Sequence, residues 1–427
     1  MDAAKPDLNR VATSEPLIER GRIATMFRSL RSRDFAFFWT GNFLSNIGTW
    51  MQNIALGWVI LVKTNSPFLL GLNGFLSQIP SLLFSLPGGA IADRLSRRKL
   101  MLWTQAAMML LALLLAVLTS INKINVTAIL IISFLTGAAS ALNYPAYQAL
   151  FPDLVVQADL ANAIALNSAQ FNMSRAIGPT LAGLALGTLG AAACFYLNSF
   201  SFLALIIALL VITIPPREIK KGPSFWGAML DGFRHLNQNQ LLIILLTVPV
   251  FLSLLGLPFI VLMPVYARDL IKVGASGLGY LMSGAGLGAV IIALILAAQP
   301  AANRRPEAFI IWGASLFSLA LILLGRAHNF WWAFFLLVIL GATMVGALIL
   351  TNTALQMSSP PELRGRVMSM YLVALSGLMP FGSLQAGAVA ESLGTRFELT
   401  LAGGICLVYF LTLLISLPHL RRVGILP

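Results

Sequence analysis

The eleven residues Gly89–Lys99 read GAIADRLSRRK. Long apolar runs flank them on both sides, so they form a short charged hinge between two membrane spans. Short loops rich in Lys and Arg stay on the cytoplasmic side of a membrane. Arg94, Arg97, Arg98 and Lys99 therefore put this joint inside the cell. A plain positive-inside anchor accounts for the four cations. It does not ask for Gly89 and Asp93 at their fixed spacing before them.

Composition agrees with a chain built around such hinges. Of 427 residues, 58% are hydrophobic and only 10% charged, where a soluble domain carries about 25% charged residues. Mean hydropathy is +0.86. At about 20 residues per span, the length accommodates twelve spans. The net charge of +13 raises the question of a nucleic acid, but its distribution excludes one. Lys5, Arg10, Arg20, Arg22, Arg28, Arg31 and Arg33 precede the first span. Further cations fall in alternate loops, at Arg217, Lys220, Lys221, Arg304, Arg305, Arg364, Arg366, Arg421 and Arg422. The intervening loops hold one or two each, among them Lys63, Lys123, Lys272 and Arg396. That asymmetry puts both termini in the cytoplasm. Cys194 and Cys406 lie in apolar runs of opposite halves and are read as small buried side chains.

Residues 1–34 form a polar, basic leader without the apolar core of a secretory signal. Span 1 (36–62) carries Asn42, Ser45, Asn46, Thr49, Gln52 and Asn53 on one helical face. Such a stripe faces either a water-filled cavity or a partner helix through hydrogen bonds. Span 2 covers 68–92. Span 3 (100–120) is almost wholly apolar, with Gln105 its only amide. Span 4 (126–150) ends with Asn143, Tyr144, Tyr147 and Gln148 around Pro145. Rings and amides together suit an amphipathic solute; an interfacial Tyr belt is the alternative. Asp153 and Asp159 make the following turn acidic, an exception to the positive loops.

Span 5 reads NAIALNSAQFNMSRAIGPTLAG, Asn162–Gly183. Asn167, Gln170, Ser174 and Gly178 share a face with Arg175 beside them. A cation inside a span costs about 2.5–3.5 kcal/mol on insertion scales and marks a functional site unless paired. The other reading is a structural Arg on carbonyls freed by Pro179. Span 6 covers 191–214. Residues 215–240 form a central cytoplasmic linker in which Phe225, Trp226, Met229, Leu230 and Phe233 recur at amphipathic spacing. Spans 7–12 follow at 241–266, 276–298, 308–325, 330–355, 367–390 and 398–418. Pro249, Pro258 and Pro264 predict a bent span 7. Residues 419–427 are a cytoplasmic tail. Asn352 and Gln356 at the end of span 10, then Glu362, Arg364 and Arg366, echo Asn143, Gln148 and Asp153 in the first half. Such an echo is expected of parallel repeats.

The hinge pattern G-x-x-x-D-R-x-x-R-R-K resembles the loop between helices 2 and 3 of the major facilitator superfamily. These are secondary transporters with twelve helices in two pseudo-symmetric six-helix bundles. The resemblance implies an all-α membrane protein with bundles at 35–214 and 241–418. It makes Gly89, Asp93, Arg94, Arg97, Arg98, Asp153, Glu362, Arg364 and Arg366 a gating set, with Asp153 pairing Arg94 or Arg97. Ser174, Gly178, Pro179 and Gly183 resemble the export signature of antiporters in that superfamily. FPDLVVQADLANAIALNSAQFNMSRAIGP and QMSSPPELRGRVMSMYLVALSGLMPFGSLQAG are similar to the bacterial branch of enterobactin exporters and macrolide efflux proteins. That branch often has P-A-R-Q in span 4; here Pro145-Ala146-Tyr147-Gln148 puts a ring in place of a cation.

No G-x-x-x-x-G-K-[ST] motif is present, so no nucleotide-driven step is expected. The three histidines form no metal-spaced set, and no metal or cofactor is expected. No carboxylate is placed deep in a span by the sequence. The expectation is a monomeric exporter of amphipathic organic solutes, drug- or siderophore-like, in the bacterial inner membrane, working by alternating access. The resemblance implies coupling to protons. A lipid or lysophospholipid transporter is the alternative, and a non-transporting receptor the other class. The candidate cavity residues are Asn42, Asn46, Asn53, Asn143, Tyr144, Tyr147, Asn167, Gln170, Arg175, Asn352 and Gln356.

Overall fold

The computed structural model describes residues 27–94, 96–213, 240–298, 306–360 and 363–422. The amphipathic stretch expected in the linker, the basic pair Arg304–Arg305 and Glu362 lie outside the described residues. The helices before the linker are α1 (Arg33–Thr64), α2 (Pro67–Arg94), α3 (Arg97–Ser120), α4 (Val126–Leu150), α5 (Leu160–Thr188) and α6 (Ala191–Val211). Those after it are α7 (Gln240–Leu270), α8 (Gly274–Ala298), α9 (Pro306–Arg326), α10 (Phe330–Met357), α11 (Arg364–Leu393) and α12 (Thr395–Arg422). The last helix runs past 418, so part of the expected tail is helical.

Ten of these segments are long and apolar enough to cross a bilayer. The two others, α1 and α5, are 32 and 29 residues long, ample for a span at about 1.5 Å per residue. They are the helices that carry the polar stripes, whose side chains lower their hydropathy. Each packs against helices on both sides, α1 against α5 and α6, and α5 against α1 and α8.

The halves repeat one another in their turns. Asn65 after α1 and Lys272 after α7 both adopt the left-handed region, at φ 52° and 60°. Asn125 caps α4 by accepting from the Ala128 amide, and Asn329 caps α10 by accepting from the Trp331 and Trp332 amides. Such caps satisfy amides that have no intrahelical partner. Gly190 before α6 and Gly394 before α12 sit at φ 82° and 92°, backbone that glycine adopts without strain.

Pairing repeats as well: α2 packs on α4 as α8 does on α10, and α3 on α6 as α9 does on α12. The halves meet along α5/α8 and α2/α11. This is a two-bundle, all-α membrane fold. Below, the near end is the one where α1 starts and where α2 leads into α3 and α4 into α5; the far end holds the 1–2, 3–4, 5–6, 7–8, 9–10 and 11–12 turns.

Beside its prolines α7 is interrupted by π turns at Leu252–Gly256 and Tyr266–Leu270. A third π turn, Val373–Gly377, interrupts α11. A π turn displaces the regular hydrogen-bond ladder. Here the Ser253 hydroxyl donates to the Ala374 carbonyl at 2.7 Å, joining the two interrupted helices.

Candidate functional site

At the near end the hinge enters the first bundle's surface. Gly89, Asp93 and Arg94 belong to the last turns of α2, where the side chains lie outside the described residues. Arg97 donates to Asp153 Oδ2 at 3.0 Å and to the Ala149 carbonyl at 2.9 Å. Arg98 donates to the Leu210 carbonyl in the last turn of α6, a favourable place for a cation at a helix C-terminus. The acidic turn is thereby explained: Asp153 meets Arg97, and Asp159 pairs with Arg28 of the leader. In the other half Arg364 lines a depression of about 230 Å³ with Thr353, Gln356 and Met357. Gln356 donates to Asn352 at 2.6 Å.

The polar residues of spans 1, 4 and 5 form three separate hydrogen-bonded groups. Asn42 donates to the Tyr147 hydroxyl at 3.2 Å, and that hydroxyl donates to Asn167. Gln170 Nε2 also donates to Asn167 Oδ1, at 3.2 Å. This network ties α1, α4 and α5, with Phe38 and Phe151 stacked on the Tyr147 ring. Thr104 of α3 donates to Asn143, and Asn198 of α6 donates to Gln52 of α1 at 2.8 Å. These amides hold helices together, the hydrogen-bonding alternative for the stripe. Tyr144 is exposed and accepts from Gln148. Asn46 is half-buried and Asn53 exposed.

Arg175 stands apart from that network. It lies near the middle of α5, and its guanidinium sits 5.8 Å from the centroid of the Trp50 ring on α1. Its Nη2 lies 3.6 Å from the sulfur of Met344, near the middle of α10 in the other half. Among the described residues no carboxylate pairs with it. Among the described residues its guanidinium meets a ring face and a thioether, not the carbonyls freed by Pro179. A cation over an indole face is attracted by the ring quadrupole, and a thioether is a soft, weak acceptor. The arrangement can hold an anionic or π-rich group against a charge at mid-depth.

The signature residues of α5 pack on both of its neighbours. Ser174 is buried and donates to the Gln170 carbonyl. A Cβ on Gly178 would lie 2.5 Å from Trp50 Cβ on α1. One on Gly183 would lie 2.7 Å from Gly279 Cα on α8. The α2/α11 seam repeats this, since a Cβ on Gly71 would lie 2.8 Å from Gly387 Cα. Close backbone approach of this kind is what small residues permit between membrane helices.

Two charged residues that were not among the candidate site residues join the halves at the far end. Arg268 of α7 donates to Asn65 Oδ1 at 2.7 Å and to the Leu61 carbonyl at 3.2 Å. Glu391 of α11 accepts from Ser66 Oγ at 2.9 Å and from the Phe68 amide at 3.0 Å. The second half thus sets a cation on the C-terminus of α1 and an anion on the N-terminus of α2, each opposite to the local helix-dipole charge. A residue distant in sequence gives no local pattern that reveals such a clamp. Both cysteines are buried, as expected.

A family model described as transmembrane secretion effector matches residues 24–425. The staphyloferrin A transporter of Staphylococcus aureus is 26% identical over 364 residues, covering 84% of this chain and 90% of that protein. Macrolide efflux protein A of Streptococcus pyogenes is 23% identical, covering 86% and 92%. The enterobactin exporter EntS of Escherichia coli is 24% identical, covering 91% and 93%. A solved structure of a bacterial homologue of the human lysosomal transporter Spinster, inward-facing and occupied, aligns with TM-score 0.70 at 15% identity, covering 92% and 97%.

Proposed function

This chain belongs to the transmembrane secretion effector family of the major facilitator superfamily, and from that membership we propose that it exports amphipathic organic solutes, drug- or siderophore-like, by proton-coupled alternating access. It does so as a monomer in a bacterial inner membrane, with both termini in the cytoplasm. The bundles at 35–214 and 241–418 are the rocking units, joined by 215–240, and the near end is cytoplasmic. Relatives named for staphyloferrin A, macrolides and enterobactin support a substrate of this class.

The observation that carries the reading is Arg175 at mid-depth, between the halves and against Trp50. A charge there is retained at a cost, and a substrate carrying an acidic or π-rich group makes use of it. Its position below an end clamped by Arg268 and Glu391 fits a state that receives solute from the near end. The test uses purified protein in lipid nanodiscs with erythromycin, enterobactin and staphyloferrin A as probes. A probe at 100-fold its Kd adds about 2.7 kcal/mol of stability and raises Tm. The same probe should then accumulate in inside-out vesicles with an acidic lumen. If no probe changes Tm and none is accumulated, the reading fails.

A further inference from the structure

One buried carboxylate has no use in the mechanism described so far. Glu398 is only 1% exposed. It stands in the first turn of α12, with its backbone amide on the Gly394 carbonyl. Its carboxyl meets Gln385 of α11, whose Nε2 donates to both oxygens at 3.3 Å. The Gln385 Oε1 is itself buried and without a partner.

The surrounding charges are engaged elsewhere or exposed. On its own helix, Arg396 contacts His328 Nδ1 at 3.1 Å. On α11, Glu391 is held by Ser66 and Phe68. On α7, Arg268 pairs with Asp269, and the Tyr266 hydroxyl donates to the Leu324 carbonyl. Arg326, ending α9, is exposed. Among the described residues no cation pairs with Glu398.

The repeat sharpens the point. Glu398 follows Gly394 by four residues, and Cys194 follows the equivalent Gly190 by four. Cys194 is buried and turned to the Ala182 carbonyl of α5, as Glu398 is turned to α11. One half fills this site with a small weakly polar side chain and the other with a carboxyl.

An ionised carboxylate is an acceptor only, so it cannot satisfy Oε1. A carboxylic acid accepts from Nε2 and donates its own O–H to Oε1 once the amide turns, which satisfies both groups. A buried charge without a paired cation is costly, and a buried orphan acceptor adds to that cost. We propose that Glu398 binds a proton in this conformation, as an acid–amide pair with Gln385, and is a proton site of this transporter. When α11 and α12 move and water reaches the pair, the acid releases one proton to water and leaves a carboxylate; closing takes one proton back. This deepens the proton-coupled reading and rests on it for its role in transport.

The test is infrared spectroscopy of the full chain in nanodiscs at pH 7, with no substrate present. The C=O band of a protonated carboxyl is expected in wild type, lost in Glu398→Gln and shifted in frequency in Gln385→Leu. A carboxylate held by the α12 dipole would instead give Glu398→Gln a spectrum identical to wild type in that region, which overturns the proposal. If Glu398→Gln does not fold, an unshifted band in Gln385→Leu overturns it equally. The readout is independent of transport: a band that behaves as expected, with probe accumulation indifferent to a pH gradient, would remove proton coupling and leave the proton site.

Discussion

Arg175 shows what one side chain commits the chain to. Insertion of an Arg at mid-span costs about 2.5–3.5 kcal/mol, and stacking on Trp50 returns about 0.5–2 kcal/mol. In the export reading proposed here, an anionic or π-rich solute offsets the remainder. Arg175→Lys should fold and keep part of the efflux, because a point charge remains over the ring without the planar fork. Arg175→Gln should keep its Tm within a few degrees and lose at least about tenfold in efflux, a loss of roughly 1.4 kcal/mol. Efflux and Tm of both variants, with whichever probe stabilises wild type, decide this; wild-type efflux by folded Arg175→Gln would remove its role. Arg175 was legible in the sequence because a lone cation among apolar residues is conspicuous. Trp50 was not, since an aromatic residue in a span looks like any lipid-facing ring. The amides were legible as a stripe but not as separate bonded groups. Asn42 and Asn167 bond to Tyr147, and Asn143 to Thr104, pairings that depend on which helices lie side by side.

At the scale of helices, α5 is held on two sides by glycines with different duties. Gly178 admits Trp50 from its own bundle, whereas Gly183 lets α8 of the other bundle approach to backbone contact. A side chain at Gly183 has to push the bundles apart, because the atoms it meets are the Gly279 Cα and the Ser276 carbonyl. Overpacking costs about 1–3 kcal/mol even where side chains can yield. Gly183→Leu should therefore lower Tm or hold the seam open, and abolish efflux. Gly365→Ala, where nothing lies within 4 Å, should leave Tm and efflux unchanged. Equal behaviour of the two variants would contradict a seam that must close. The small-residue pattern of span 5 was legible, but the sequence does not say which glycine faces which bundle. The three prolines announced the interruptions of α7. Pro380 stands just past the π turn of α11, as Pro258 stands just past the first one of α7, a signal that went unread because a single proline in a span is less conspicuous than three.

For the molecule as a whole, twelve helices in two bundles were legible because hydropathy, loop charge and an internal echo agree on one arrangement. The closed far end was not, because its clamp joins residues more than two hundred positions apart. That clamp should set the balance between the two faces. Arg268 and Glu391 act on opposite helix ends of one turn, and the contacts are exposed or partly exposed. Surface contacts of this kind contribute about 0–1 kcal/mol each. Removing both with Arg268→Gln and Glu391→Gln should weaken closure by about 1–2 kcal/mol, a factor of roughly 5–30 in population. The reporter is Ser276→Cys, packed against Gly187 in the α5/α8 seam, in a chain with Cys194 and Cys406 changed to Ala. An impermeant maleimide added outside intact cells should label it slowly with the clamp and 5- to 30-fold faster without it. Lys123→Cys, exposed at the far end, should label from outside in both backgrounds. Lys99→Cys, exposed at the near end, should label only after permeabilisation. Reversed labelling of positions 99 and 123 would overturn the orientation. Unchanged labelling of position 276 would show that the glycine seams, rather than the charged clamp, hold the far end shut.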